Sequence, residues 1–393
     1  MGNDSIMSSQ ETIHSLRRKI RKICGERFSE GNRVTLLWKD SELFRGIFDS
    51  VRSAEKFICL EFYIFRNDDT GTELAEILSQ KAAEGIKVYL LYDHFGSIGT
   101  PVKFWKNLRA AGVQIRASHP FKWTAPLHYV HRDHRKLIII DGIRAFTGGL
   151  NIANEYTGYH LRRKKKGWRD TGLIVEGPVV NMLLNTFRER WHVWKGGLIP
   201  FQVDVGPMKD DGLPAIPIFA SSARGRRKMR RLIYESINMA RESIYLTTAY
   251  FTPSRRFIQI LENAVKRGAS VKLLLPGKTD IEATRYTGRA FYTRLLKAGI
   301  EIYNYSGQIL HAKTAVFDGI WSIIGSANLD FQSLRRNDEG NVGIIDAGFG
   351  RRMTEIFFED LKHSDQIKLP DWRKRRFCEK MKEHFYVLFR RRL

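Results

Sequence analysis

The 393-residue sequence predicts an α/β protein made of two similar domains related by a pseudo-twofold, with one functional site at their interface. Three observations carry that expectation. The segments HRKLIIID and HAKTAVFD set His134, Lys136 and Asp141 at the same spacing as His311, Lys313 and Asp318. Both copies run on in register into GGLN and GSAN, so Asn151 and Asn328 fall at matching offsets. Upstream, AEKFICLEFYIFRNDDTGTELAEILSQKAAEGIKVYLLYD reads against ARESIYLTTAYFTPSRRFIQILENAVKRGASVKLLLPG. A long-period repeat of this kind marks a duplicated structural unit.

The elements follow in order within each half. An apolar run with β-type residues, FICLEFYIF or SIYLTTAYF, leads through a turn to a helical pattern, a glycine stop at Gly85 or Gly268, and a second β run. FWKNLRAAGVQIR then matches FYTRLLKAGIEIY, a helix ended by Gly112 or Gly299 and followed by a third strand. The motif runs LIIIDG and TAVFDG each read as a strand pair around a turn. Strands alternating with helices imply a layered α/β domain on a largely parallel or mixed sheet. The Gly- and Pro-rich stretch KGGLIPFQVDVGPMKDDGLPAIP marks a linker around residues 196–218. The expected division is a basic arm over residues 1–30, domains over 31–205 and 206–369, and a basic amphipathic tail over 370–393.

Composition narrows the partners. Hydrophobic residues make up 43% of the chain, which suits a globular protein, and the formal charge of +24 calls for a polyanion, either nucleic acid or an acidic membrane surface. No apolar run is long enough to span a bilayer. The first residues, MGNDSIMSSQETIHSLRRK, lack the apolar stretch of a secretory signal and match a myristoylation site poorly. Cys24, Cys59 and Cys378 lie far apart in no metal-ligand spacing, so neither a disulfide framework nor a cysteine metal site is expected.

The repeated motif pairs a group that titrates near neutral pH with a cation and a neutral amide donor. Displacement at a phosphodiester needs a nucleophile on one side of phosphorus, a proton donor for the departing oxygen on the other, and positive charge around the remaining oxygens. His134 and His311 can fill the two outer roles. Lys136 and Lys313 would supply charge, and Asn151 and Asn328 hydrogen bonds, to the phosphoryl oxygens. With two lysines present no metal or other cofactor is expected. Asp141 and Asp318 belong to the catalytic motif, but each follows a β run and precedes a glycine, which points to fixing a turn.

This paired motif resembles that of the phospholipase D superfamily, and over residues 31 to 365 the chain is most similar to the bacterial cardiolipin synthases. The resemblance implies two phospholipase D-type α/β domains with one active site between them, and transphosphatidylation through a covalent phosphohistidine. It implies an anionic phospholipid such as phosphatidylglycerol as substrate and a peripheral place on the cytoplasmic side of a bacterial cell membrane. The similarity is to the shorter relatives without N-terminal spans. The superfamily also contains phospholipases and nucleases, so hydrolysis stays open beside transfer. Its usual division of labour makes His134 the nucleophile and His311 the general acid and base.

The same resemblance places a histidine-orienting acid on the strand after each motif. In the second half this is Glu339, in NDEGNVGII; aligning RDTGLIVEG with DEGNVGIID puts Asp170 opposite it, the first half carrying an eight-residue insertion. Each acid is assigned to the histidine of its own half, Asp170 to His134 and Glu339 to His311. Glu155, in GGLNIANEY, is the rival to Asp170.

A membrane surface is favoured over nucleic acid by the two ends of the chain. Phe377, Met381, Phe385, Leu388 and Phe389 recur at helical spacing among arginines and lysines, as do Ile13, Leu16, Ile20 and Ile23 near the start. Basic amphipathic helices of this kind suit an anionic lipid interface; packing on the domains is the other use of such faces. The aromatic and basic stretch FKWTAPLHYVHRDH and the basic run in HLRRKKKGWRD flank the first motif and its insertion. No signature of a nucleic-acid-binding module is present.

Overall fold

The halves share one continuous sheet, and the way the strands are dealt between them decides where the site forms. The computed structural model describes residues 9–38, 40–121, 123–124, 131–158, 167–201 and 211–390. The initial MGNDSI, Leu127 and Tyr129 of the aromatic loop, and the basic run 162–166 lie outside the described residues. The first half comprises α1 (Ser9–Cys24), β1 (Ser29–Leu37), α2 (Asp40–Arg52), β2 (Phe57–Phe62), α3 (Asp69–Ala83), β3 (Lys87–Asp93), α4 (Val102–Ala110), β4 (Gln114–Ser118), β5 (Leu137–Ile140), β6 (Arg144–Gly148), α5 (Asn154–Thr157), β7 (Gly172–Glu176) and α6 (Val179–Val193). The second comprises β8 (Leu213–Ala220), α7 (Ala223–Met239), β9 (Ser243–Thr247), α8 (Arg255–Lys266), β10 (Ser270–Pro276), α9 (Glu282–Arg289), α10 (Tyr292–Lys297), β11 (Glu301–Tyr305), β12 (Thr314–Phe317), β13 (Trp321–Gly325), α11 (Phe331–Arg335), β14 (Glu339–Ile345) and α12 (Ala347–Lys362). A short strand β15 (Ser364–Gln366) and helices α13 (Leu369–Arg373) and α14 (Phe377–Val387) close the chain.

Strand order is β15-β11-β10-β9-β12-β13-β14-β8-β1-β7-β6-β5-β2-β3-β4, which reads outward in the same sense from the β8–β1 pair on both sides. Within each half β2, β3 and β4, or β9, β10 and β11, are parallel, and the remaining strands antiparallel. The pseudo-twofold therefore falls between β1 and β8, which pair antiparallel through Ser29 with Ala215 and Asn32 with Leu213.

Alternation along the strands separates the cores. In β2, Ile58, Leu60 and Phe62 face an outer core with Leu74 and Leu78 of α3. Phe57 and Cys59 face inward, into a core shared by both halves that gathers Leu137, Ile139 and Val175 with Val316, Ile324, Val342 and Ile344. That shared apolar layer fixes the two motifs relative to each other.

Two segments depart from the sequence reading. The stretch read as a linker supplies β8 in the middle of the sheet. Its Pro217 lies beyond the last β1 partner, where a missing amide breaks no ladder on that side. The basic N-terminal arm is likewise built in: α1 lays Ile20 and Ile23 into the second half's core, with Ile13 and Leu16 at its edge. Burying Ile20 contributes about 1.5–3 kcal/mol over leaving it exposed, so the apolar face of α1 is spent on packing. The tail behaves oppositely. Trp372 is buried, and Glu383 of α14 is buried against Arg289 and Arg375. The other face carries Phe377, Met381, Phe385 and Leu388, each more than half exposed.

Candidate active site

Each motif histidine sits just before a central strand, β5 or β12, and its backbone pairs across the seam. The His134 amide donates to the Asp338 carbonyl at 2.9 Å and the His311 amide to the Arg169 carbonyl at 2.8 Å. Parallel bridges join Asp133 with Asp338 and Arg169 with Leu310. The residue following each of these bridges, Glu339 or Asp170, is thereby delivered to the histidine of the opposite half. Glu339 Oε2 lies 3.0 Å from His134 Nδ1, and Asp170 Oδ2 lies 2.7 Å from His311 Nδ1. The two acids are those singled out from the sequence, but the same-half pairing is corrected. The partnership is crossed because the seam pairs the backbones that way.

With Nδ1 engaged, Nε2 is the nitrogen each ring offers to a cavity of about 450 Å³ that both histidines line. Burial pushes both imidazoles below the usual histidine range. For His134 the Glu339 carboxylate opposes the shift. For His311 burial and then the adjacent Lys313 ammonium take it to about 4, against Asp170. Lys313 Nζ also approaches His311 Nδ1, at 2.8 Å. A ring that donates Nδ1–H to a carboxylate cannot accept there as well, and donation to the anion is the stronger bond. Glu339, which burial alone would raise, is held below its ordinary value by His134 and Lys136 and by the Ser326 hydroxyl. Its counterpart Asp170 has Gly149 in place of that serine; a Cβ at Gly149 would stand 2.1 Å from Asp170 Oδ1.

Lys136 and Lys313 are buried, and each donates to the carbonyl of the histidine two residues before it. Burial pushes Lys136 down to about 7 and Lys313 to about 8, with Glu339 and Asp170 resisting both shifts. The lysines set an alkaline limb if the free enzyme needs both charged: kcat/KM should fall above pH 7 to 8 as they lose their protons. Initial rates across pH 3.5 to 9 check this; activity still climbing at pH 9 would contradict it.

Asn151 and Asn328 line the cavity, and their side-chain oxygens are held alike by the backbone. The Asn151 side-chain oxygen accepts the Ile64 amide at 3.1 Å, and that of Asn328 the Tyr250 amide at 3.3 Å. Each carbonyl is thus anchored to the backbone. One N–H of Asn151 is given to Tyr156, at 2.6 Å. Asp141 and Asp318 are elsewhere. Asp141 accepts the amides of Glu55, Lys56 and Phe57, and Asp318 those of Arg241, Glu242 and Ser243. Both adopt positive φ, 54° and 51°, at the start of their turns. Their inclusion among catalytic residues is corrected: they tie the motif hairpin to the adjacent strand.

Glu155, the rival acid, lines the cavity but pairs with Arg66 at 3.0 Å. The sequence reading missed the aromatic surround. Tyr156 and Trp168 lie 5.2 and 5.4 Å from the His311 ring, and Tyr63 lies 5.0 Å from His134. Tyr63 just past β2 was the legible one, since side chains at strand ends beside a motif tend to face the cleft. A buried charge cluster behind His134 was also missed: Arg135 pairs with Asp133 and Glu61, while Arg190 and Arg226 pair with Asp338. These ions brace the bridge that presents Glu339. Among the described residues no three His, Cys, Asp or Glu side chains are placed to share a metal ion, and no helix is long and apolar enough to cross a membrane.

Comparison with known proteins identifies the family and the fold. The family described as cardiolipin synthase, PLD-like domain matches residues 47–191 and 233–361. A probable cardiolipin synthase of Bacillus subtilis, YwiE, is 33% identical over 361 residues, which is 91% of this chain and 71% of that protein. Cardiolipin synthase A of Pseudomonas fluorescens is 31% identical over 351 residues, 89% of this chain and 73% of that protein. Among solved structures, phosphatidylserine synthase of Haemophilus influenzae superposes with a TM-score of 0.73 at 13% identity, covering 95% of this chain and 97% of its own. Polyphosphate kinase of Porphyromonas gingivalis reaches 0.56 at 14% identity, over 86% of this chain and 49% of that one. At those identities the structural likeness concerns the fold.

Proposed function

This chain belongs to the family of cardiolipin synthases with phospholipase D-like domains and is a phosphatidyltransferase acting on anionic phospholipid; on that premise we propose that it makes cardiolipin from two phosphatidylglycerols through a phosphohistidine. The observation that supports this reading most is the pair of imidazoles that meet in one cavity from opposite halves, each backed by a carboxylate of the other half. His134 Nε2 attacks phosphorus, and the bond to the glycerol oxygen breaks as His311 gives that oxygen a proton. The anionic phosphodiester between the rings is what raises His311 enough to carry that proton. In the second step the acceptor hydroxyl loses its proton to His311 and displaces His134. Cardiolipin and free glycerol result in equal amounts. Lys136 and Lys313 hold the phosphoryl charge from behind the histidines, with Asn151 and Asn328 as amide donors.

One observation favours the reverse assignment: His311 is the imidazole held more firmly neutral, which suits a nucleophile in the resting enzyme. Locating the covalent adduct separates the two. Incubation with phosphatidylglycerol vesicles, followed by separation of the lipids, tests the reaction itself. Cardiolipin with matching glycerol is expected; phosphatidic acid as the main product would make the protein a hydrolase. Because two lysines supply the charge a divalent ion would bring, turnover should survive exhaustive chelation. Complete loss, restored by one specific ion, would contradict this.

The tail is the proposed contact with the bilayer. Buried Trp372 and Glu383 dock it, so deleting residues 371–393 would also remove packing and an ion pair. Of the four basic residues at 373–376, Arg375 is turned inward to Glu383, which leaves Arg373, Lys374 and Arg376 for anionic head groups, on the order of 1 kcal/mol each and weakened by salt. Point changes are the cleaner test. Phe385→Ser with Leu388→Ser should weaken cosedimentation with phosphatidylglycerol vesicles by about tenfold or more, without lowering the melting temperature. Unchanged binding would place the anchor elsewhere.

A further inference from the structure

A second cavity, of about 420 Å³, lies beside the catalytic one, and Asp330 lines both. Its walls come from α7, the turn before α8, α11 and the end of the tail, and they carry Arg230, Arg255, Arg335 and Arg390. Among the described residues no carboxylate pairs with Arg230, Arg255 or Arg335, and Arg230 donates to the Leu334 carbonyl at 3.2 Å. Burial, and then the like charges of Arg335, Arg227 and Arg256, push the Arg230 guanidinium below its ordinary value. Helix α8 starts at this wall with Ser254 as its cap, and its first turn contains Arg255 and Arg256 and no acid. Its positive helix end therefore adds to the arginines instead of being neutralised. The one acid in the lining, Asp330, is buried, which pushes its carboxyl up to about 7 against the Ser333 amide. Between the arginines the floor is apolar, with Tyr234, Phe331 and Leu334. A concavity lined by Arg230, Arg255 and Arg335, none of them paired with a carboxylate among the described residues, and floored by apolar side chains suits an amphiphilic anion. Its position fits a lipid, because Arg390 follows directly on the exposed Leu388 and Phe389.

We propose that this cavity binds the phosphodiester of the acceptor phospholipid, so that the acceptor's glycerol hydroxyl reaches over Asp330 into the catalytic cavity. The inference rests on the transferase reading above. In the step it serves, the acceptor hydroxyl oxygen forms the new bond to phosphorus, the bond from phosphorus to the histidine breaks, and the hydroxyl proton passes to the other histidine. The arginines take no part in that exchange; they raise the local concentration of an alcohol that carries a phosphate, relative to water.

Three acceptors separate the possibilities: phosphatidylglycerol in vesicles, glycerol 1-phosphate, and isotope-labelled glycerol, which has no phosphate and whose transfer is read as label entering phosphatidylglycerol. In Arg230→Gln and in Arg335→Gln, the ratio of transfer to phosphatidylglycerol over transfer to glycerol should fall about tenfold, through a higher apparent KM for the lipid acceptor. Arg335→Lys should recover most of it. Arg335 is exposed, so its variants fold even if those of Arg230 do not. Arg351→Gln, an equal loss of charge on the exposed side of α12, should leave the ratio as in wild type. A parallel fall with glycerol and lipid, or an unchanged ratio, overturns the subsite. A loss with glycerol 1-phosphate alone makes it a site for free phosphate esters and overturns the lipid assignment. If the wild-type protein transfers to none of the three, the transferase reading fails first and takes this inference with it.

Discussion

Replacing either His134 or His311 with alanine should lower phosphatidyl transfer by on the order of 10³–10⁴-fold or more, since each chemical step uses both rings. The two losses should differ in kind. Attack has no substitute once the nucleophile is gone, whereas protonation of the leaving oxygen matters only when that oxygen is a poor leaving group. A phosphodiester with a nitrophenyl leaving group should therefore restore much of the first step in His311→Ala and none of it in His134→Ala. The reverse pattern would exchange the roles, and substantial transfer to phosphatidylglycerol by either alanine variant would remove the two-histidine mechanism. Thermal melts and vesicle binding of the variants guard against reading a folding defect as chemistry, because both side chains are buried at the seam.

The orienting acids carry the second large effect. Asp170→Asn and Glu339→Gln keep shape but remove the charge that fixes the imidazole tautomer and supports the imidazolium. Each should lower kcat by roughly 10²–10⁴-fold. Glu155→Gln should stay within about threefold, since its carboxylate forms a half-exposed pair with Arg66. The crossed pairing makes a sharper statement. In Asp170→Asn the Nδ1–H proton signal of His311 should move and that of His134 should not; in Glu339→Gln the pattern should invert. Both signals moving together in each variant would mean that the acids act through the shared cavity rather than through their own ring.

The repeat, the strand–helix alternation and the motif hairpins were legible because they depend on local periodicity and on residues close in sequence. Asp170 and Glu339 were legible as a pair once the family resemblance had placed an acid on the strand after the motif, since the alignment of the two last strands survives an insertion. Which acid serves which histidine was not. That choice is made by the bridges of Asp133 with Asp338 and Arg169 with Leu310, contacts between segments far apart in the chain that no periodicity encodes. The same cause hid β8, whose prolines and flanking glycines resemble a linker until β1 and β14 are seen on its two sides. The two chain ends looked alike as basic amphipathic stretches, yet α1 buries its apolar face and α14 exposes it. The difference lies in the partners: Ile20 and Ile23 join the core that Met229, Leu232 and Ile233 of α7 help to form, whereas α14 is docked through Glu383, on its polar side.

The covalent intermediate is the claim on which the rest depends. Enzyme mixed with phosphatidylglycerol labelled at phosphorus, stopped in alkali to preserve a phosphorus–nitrogen bond and cleaved into peptides, reports it directly. The mechanism predicts one labelled phosphatidyl group per active chain, on His134, formed as glycerol is released and discharged when further phosphatidylglycerol is added. Label on His311 would reverse the two roles, and cardiolipin formed with no label on either histidine would contradict the double displacement altogether.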